Sequence, residues 1–314
     1  MPIMETSVSS YMESFMRVPV RLASLCCAIF LSQAALAAEV LPQRWVSAGG
    51  SITEWVVTLG GQSKLVGVDT TSLNPAELKK LPSIGYQRQL AAEGILSLKP
   101  DLLVGSEEMG PPPVLAQVKS AGVAVESLST KADLPTLEHT LERIGALLGD
   151  KPRAAGAFAD YQQRLKKQAD WVTAAQSSKP VPSVLLLLSH SGSSPMAAGQ
   201  DTLGAWLIER AGGRSITTHT SYKALSTEAM LALDPEVIIF ADRSIAGAEA
   251  KAALLKQNPA LAATRAAKND RLLAIDPTLL VGGLGPRVPD ALATLGAGFY
   301  PAAQPLTADA KPQP

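Results

Sequence analysis

Residues 90–104, LAAEGILSLKPDLLV, align without gaps on residues 225–239, LSTEAMLALDPEVII. Each segment runs Leu, two small or polar residues, Glu, a helically spaced apolar face, Pro, an acid and then an apolar run. That order predicts an amphipathic helix, a proline stop and a buried strand. Any helix–proline–strand unit shares part of this pattern. The alternative is a chain built from two lobes of the same design, which restricts the fold far more.

The stretch between the two copies differs in rhythm. From Leu134 to Ser177 there is no strand signal, and apolar positions recur at helical spacing. Gly149 and Pro152 bend this run or mark its start. A helix of roughly 20–25 residues spans about 30–38 Å, enough to join two lobes as a stiff strut. On the N-terminal side, strands are expected at 44–49, 65–69, 101–105 and 123–128, with helices at 51–61, 90–100 and 113–122. Ser51 and Glu54 have the spacing of a capping box at the start of the first helix. After SSKPVP, strands are expected at 183–190, 236–241 and 271–276, with helices at 201–213, 226–235 and 289–299. The alternation predicts an α/β fold: two α/β lobes, each with a central, mostly parallel sheet, joined by one long helix. The expected boundaries are 38–133 for the first lobe, 134–177 for the helix, 178–302 for the second lobe and 303–314 for a flexible tail. Two lobes on a strut leave a cleft, and clefts between domains are where small ligands bind.

Residues 1–37 read as a signal peptide. Arg17 and Arg21 precede an apolar run from Leu22 to Leu31, and Ala35-Leu36-Ala37 supplies small residues for a signal peptidase. A run of roughly ten residues is short of the ~20 a spanning helix needs; a retained anchor is the alternative. The stretch LASLC at 22–26 is a poor lipoprotein box, because Leu25 precedes the cysteine. Cleavage after Ala37 or Ala38 removes Cys26 and Cys27, the chain's two cysteines. The mature chain then forms no disulfide and no thiolate metal site. An exported protein without disulfides suits a bacterial periplasm. The formal net charge is zero and the basic residues are scattered, which gives no footprint for nucleic acid.

Four stretches carry a resemblance over nearly the whole mature chain: GGSITEWVVTLG, GYQRQLAAEGILSLKPDLLVG, SPMAAGQDTLGAWLIERAGG and GLGPRVPDALATL. The sequence resembles the periplasmic binding proteins of ABC importers with a single-helix hinge, and within them the haem-binding members. The resemblance implies capture of ferric haem between the lobes, delivery to an inner-membrane ABC permease dimer with its ATPase, a monomeric carrier and small lobe motion on loading.

The site expectations centre on GYQR, residues 85–88. In the resembled haem carriers the tyrosine of such a turn is the axial iron ligand and the arginine supports it, which here means Tyr86 and Arg88. The chemistry is sound. A free phenol is neutral near pH 7, but a bound ferric ion strongly favours the phenolate, as does a guanidinium beside it. In an extended segment Tyr86 and Arg88 point to the same side. The competing reading is a turn tyrosine packed on its own helix. The resemblance places a second arginine, Arg243, near the phenolate or a propionate, with Ser244 as a possible aid; a surface ion pair is the alternative. Tyr222 and His219 lie in the loop of lobe two that matches the Tyr86 loop, so they could face the ligand from the opposite wall, or be plain loop residues. Met196, in a stretch of small residues, lets a large ring approach or belongs to the core. Arg287 more naturally fixes a loop. Of the three histidines, His139 falls on the helical run and His190 at the end of a strand, without regular metal-ligand spacing. The resemblance gives Glu93 and Glu228, matched in the two copies, a role in docking on the permease; favourable charge at a helix start is the simpler reading.

Two other classes remain. The same fold carries ferric siderophores or cobalamin, neither of which needs a Tyr-Arg pair. A secreted α/β hydrolase would need a nucleophile elbow or a His-Glu-x-x-His helix, and the sequence has neither.

Overall fold

The computed structural model describes residues 41–189, 195–242 and 250–306. The expected signal peptide, both cysteines, His190, Arg243, Ser244 and the end of the tail lie outside the described residues.

Strand β1, Trp45–Ala48, is buried at every position and sits inside a four-stranded sheet. Its order is β2-β1-β3-β4, with β2 at Leu65–Val68, β3 at Leu102–Ser106 and β4 at Ala124–Leu128. All three pairings are parallel. Strands covered on both faces read as apolar runs rather than alternations. Accordingly Trp45, Leu102 and Val104 pack with residues of the helices Gly50–Thr58 and Leu134–Leu148. Val46, Ala48 and Leu103 pack instead with Ile95 and Val118, from the helices Ala92–Ser97 and Pro112–Ser120.

The second lobe repeats this build with an added antiparallel edge. Its sheet runs β10-β9-β5-β6-β8: β5 is Ser183–Leu188, β9 Val237–Ala241 and β10 Leu272–Ile275, all mutually parallel where they pair. The short strands β6, Met196–Ala198, and β8, Tyr222–Ala224, are antiparallel, and β7, Arg214–Ser215, pairs with β5. Three strands of two or three residues leave too little periodicity to be read from sequence. The two copies of the repeat fold alike: helix Ala92–Ser97 leads to β3 and helix Thr227–Leu233 leads to β9.

The strandless stretch forms two helices. Asp133 caps the first by accepting from Thr136 N–H at 2.8 Å, and Gly149 ends it with φ +77°. Asp150 caps the second, Lys151–Gln176, by accepting from Arg153 N–H at 3.0 Å. This helix of 26 residues is about 39 Å long. Its Tyr161 ring lies 5.8 Å from Trp55 in lobe one, while its Gln168 Nε2 donates to Leu292 O in lobe two. Trp55, Tyr161, Val184 and Leu292 share one apolar cluster, so the core runs through the strut into both lobes.

The capping box at Ser51 does not form. The helix begins at Gly50 behind Gly49, whose φ is +103°, and no side chain caps it. Ser51 N–H donates to Val281 O at 3.0 Å. Glu54 is drawn to Arg287: Arg287 Nε and Nη2 donate to its two oxygens at 2.6–3.0 Å. A bidentate guanidinium is a stronger partner than one amide, so the tertiary contact wins over the local cap. Arg287 also donates to Asp276 and Thr278. It fixes the 276–287 segment after β10 onto lobe one, where Trp55 Nε1 donates to Leu284 O at 2.7 Å. Both lobes lie within a single unit that begins at Pro42.

Candidate functional site

All four strands of the first sheet end on the same edge, since they run parallel. The 276–287 segment leaves the second sheet at the C-terminal end of β10 and meets that edge: Asn74 Nδ2 donates to Asp276 at 3.1 Å, and Gly283 lies against Thr130. The carboxyl ends of the two sheets therefore face one another, the position where α/β sheets bind ligands.

The Tyr86 turn sits on this edge. Residues 82–85 run beside β2: Val68 N–H donates to Pro82 O, Ile84 N–H to Val68 O, and Thr70 N–H to Gly85 O. Gly85 has φ +85°, a region that glycine enters without penalty. The chain then reverses, with Gln89 N–H donating to Tyr86 O at 2.8 Å. The segment is thus the turn expected, with a reversal at Tyr86 in place of extended backbone. Its two display residues still point outward, because the residue between them is the anchor. Gln87 is 1 % exposed, whereas Tyr86 is 40 % exposed. Ser106 Oγ donates to Gln87 Oε1 at 2.8 Å, Gly110 N–H donates to Gln87 O, and Leu90 N–H donates to Gly110 O. The turn is stapled to the 106–110 loop that follows β3.

That loop supplies a group the sequence reading missed. Arg88 Nη2 lies 2.6 Å from Glu108 Oε1, and Gln87 Nε2 donates to Glu108 Oε2 at 3.2 Å. The hydrogen bond from Arg88 to Glu108 raises the arginine's pKa, and the Tyr86 phenol is close enough to act in the same direction. The signal for Glu108 was present: two acids directly after a buried strand stand at the lip of the sheet.

In the second lobe, the Tyr222 hydroxyl is buried over the start of helix Leu203–Arg210, close to Gly204. Burial pushes the Tyr222 phenol up to about 12, and the charge of Glu108, from lobe one, pushes it further up. The Tyr222 oxygen turns inward. His219 is half-buried, and its Nε2–H donates to Ala197 O at 3.2 Å, which fixes the tautomer. Met196 is half-buried in β6, paired with Leu188 and Ala224. Neither His219 nor Met196 has a contact with Tyr86 or Arg88 in this structure's hydrogen bonds and ion pairs among the described residues. Glu93 and Glu228 are both exposed and both occupy the second position of their helices. A hydrogen bond from its own backbone N–H, aided by Ser226, lowers the Glu228 carboxyl. Among the described residues, no group of three or more His, Cys, Asp or Glu could hold a bare metal ion.

Among solved structures, the chain is similar to a periplasmic haem-binding protein from Pseudomonas aeruginosa: 62% identity, TM-score 0.82, covering 85% of this chain and 96% of that one. It is also similar to the periplasmic haem-binding protein HutB of Vibrio cholerae, with 34% identity, TM-score 0.70, and coverage of 82% and 99%. Among curated proteins, a cobalamin-binding protein of Halobacterium salinarum is 27% identical over 278 residues, 86% of this chain and 72% of that protein. The family model described as periplasmic binding protein matches residues 46–279. Two α/β lobes with mostly parallel sheets, a helical strut between them and that match together establish that the chain belongs to the periplasmic binding protein family.

Proposed function

We propose that this protein captures ferric haem in the periplasm between its two lobes and delivers it to an ABC permease in the inner membrane. The observation that carries the reading is the GYQR turn: an outward phenol and an outward guanidinium flank a buried glutamine, on the edge where the two sheets face each other. The 62% identity to a periplasmic haem-binding protein supports the same cargo. Haem is the transported ligand, and its iron takes one axial bond from the protein. Tyrosinate is an established axial ligand of ferric haem. In this reading Tyr86 releases its proton to solvent as the bond to iron forms, and the Arg88 cation favours the phenolate. No covalent change to the cargo is involved. Exposed Glu93 and Glu228, at matching positions in the two lobes, suit a partner with two-fold symmetry such as a permease dimer.

The test is an absorption titration of the purified protein with hemin, and separately with cyanocobalamin and a ferric hydroxamate siderophore. Haem binding is expected to shift the Soret band to saturation, with no displacement by the other two. Saturable binding of cyanocobalamin without any change in the hemin spectrum would overturn the reading in favour of a corrinoid carrier.

A further inference from the structure

We propose that Glu108 is a positioning residue that sets how readily the cargo leaves: it holds Arg88, and competes with the Tyr86 phenolate for that arginine once cargo is bound. The inference rests on the haem reading above. Three observations lead to it. Arg88 is tied to Glu108 at 2.6 Å while the neighbouring Tyr86 lies exposed. Glu108 does not hang free on a flexible loop: Gln87 Nε2 donates to its second oxygen, and Glu107 N–H beside it donates to Leu128 O at 2.7 Å. Its charge also bears on the Tyr222 phenol of the opposite lobe.

The consequence is a charge competition. In this structure one cation and one carboxylate neutralise each other. On loading, the Tyr86 O–H bond breaks, its proton goes to solvent and an Fe–O bond forms, with no change in oxidation state. A second anion now stands beside Arg88. Shared between phenolate and carboxylate, the arginine stabilises the phenolate less than an unshared one would. Glu108 thus weakens the iron–phenolate bond on purpose-built geometry, and a carrier must release what it captures. Two carboxylate-bearing propionates on the cargo add to the anionic charge that Arg88 and its neighbours must offset.

The experiment compares wild type with Glu108→Gln, which keeps the side chain's shape and removes its charge. The readouts are the rate of hemin transfer to apomyoglobin and the position of the phenolate-to-iron charge-transfer band. Glu108→Gln is expected to slow transfer roughly tenfold, the scale of one charge pair at close range, and to move the band. In a Tyr86→Phe background the same substitution is expected to leave transfer unchanged. Equal transfer rates and bands for wild type and Glu108→Gln would overturn the proposal while leaving the haem reading intact. Faster transfer from Glu108→Gln, matching Glu108→Ala, would show that Glu108 only braces the turn, and also overturns it. If wild type takes up no hemin at all, both readings fall together.

Discussion

Ser106 Oγ donates to the side chain of Gln87 at 2.8 Å, and this buried bond is what turns Tyr86 and Arg88 outward. Gln87 fills the space above Gly49, where an added Cβ would meet its oxygen at 2.8 Å. Replacing Gln87 with Ala leaves the Ser106 hydroxyl buried without its acceptor and frees one side of Glu108. The expected cost is about 1–3 kcal/mol of stability. Hemin affinity should fall in the same variant although Gln87 itself is not exposed. Urea unfolding and hemin titration measure the two effects separately.

Arg287 joins the lobes through Glu54, which is buried, and through Asp276 and Thr278. Burial raises the Glu54 carboxyl, with Arg287 opposing it. For Arg287 burial disfavours the charge, but Glu54 and Asp276 outweigh it and raise the pKa. Arg287→Ala leaves a buried carboxyl without its cation and is expected to cost about 3 kcal/mol. Because the guanidinium is not on the Tyr86 turn, hemin added to the folded variant should still shift the Soret band. Thermal unfolding followed by circular dichroism measures the loss.

Acid should destabilise the protein through carboxylates whose hydrogen bonds favour their charged form. The Thr130 backbone N–H lowers the Glu107 carboxyl, and the Ser183 backbone N–H lowers Glu236. Lys131 and Thr136 hold Asp133 down at about 2. Groups depressed in the folded state contribute stability that is full above their unfolded values, about 4, and is lost as pH falls through their folded values. Denaturant midpoints should therefore be flat from neutral pH to about 5 and decline below about 4. Glu107→Gln should flatten part of that decline.

The Tyr222 hydroxyl is buried beside Gly204, with its phenol pushed up to about 12. A neutral, inward phenol is a poor competitor for ferric iron. Tyr222→Phe is expected to leave the hemin spectrum unchanged, a result read directly by absorption spectroscopy.

Which features the sequence reveals follows from how local their causes are. The paired helix–proline–strand segments are legible because period, proline and burial all act within about fifteen residues, and both copies fold in register. The break at Gly149–Asp150 is legible as a glycine stop before an acidic cap. The false capping box at Ser51 is not, because Glu54 answers to Arg287, 233 residues away. The display of Tyr86 was readable from Gly85, but its anchor was not. Gln87 is buried only because Ser106 and Gly110 arrive from another strand–loop unit. Glu108 belongs to the same class: its acidity is visible in sequence, its partner only in space.

The Tyr86 oxygen is the atom on which the capture of haem iron turns. The direct measurement is resonance Raman and visible absorption of the hemin complex in wild type and in Tyr86→Phe. Wild type should show phenolate modes enhanced in a charge-transfer band of high-spin ferric haem, and Tyr86→Phe should lose both. Identical spectra from the two proteins would contradict the account.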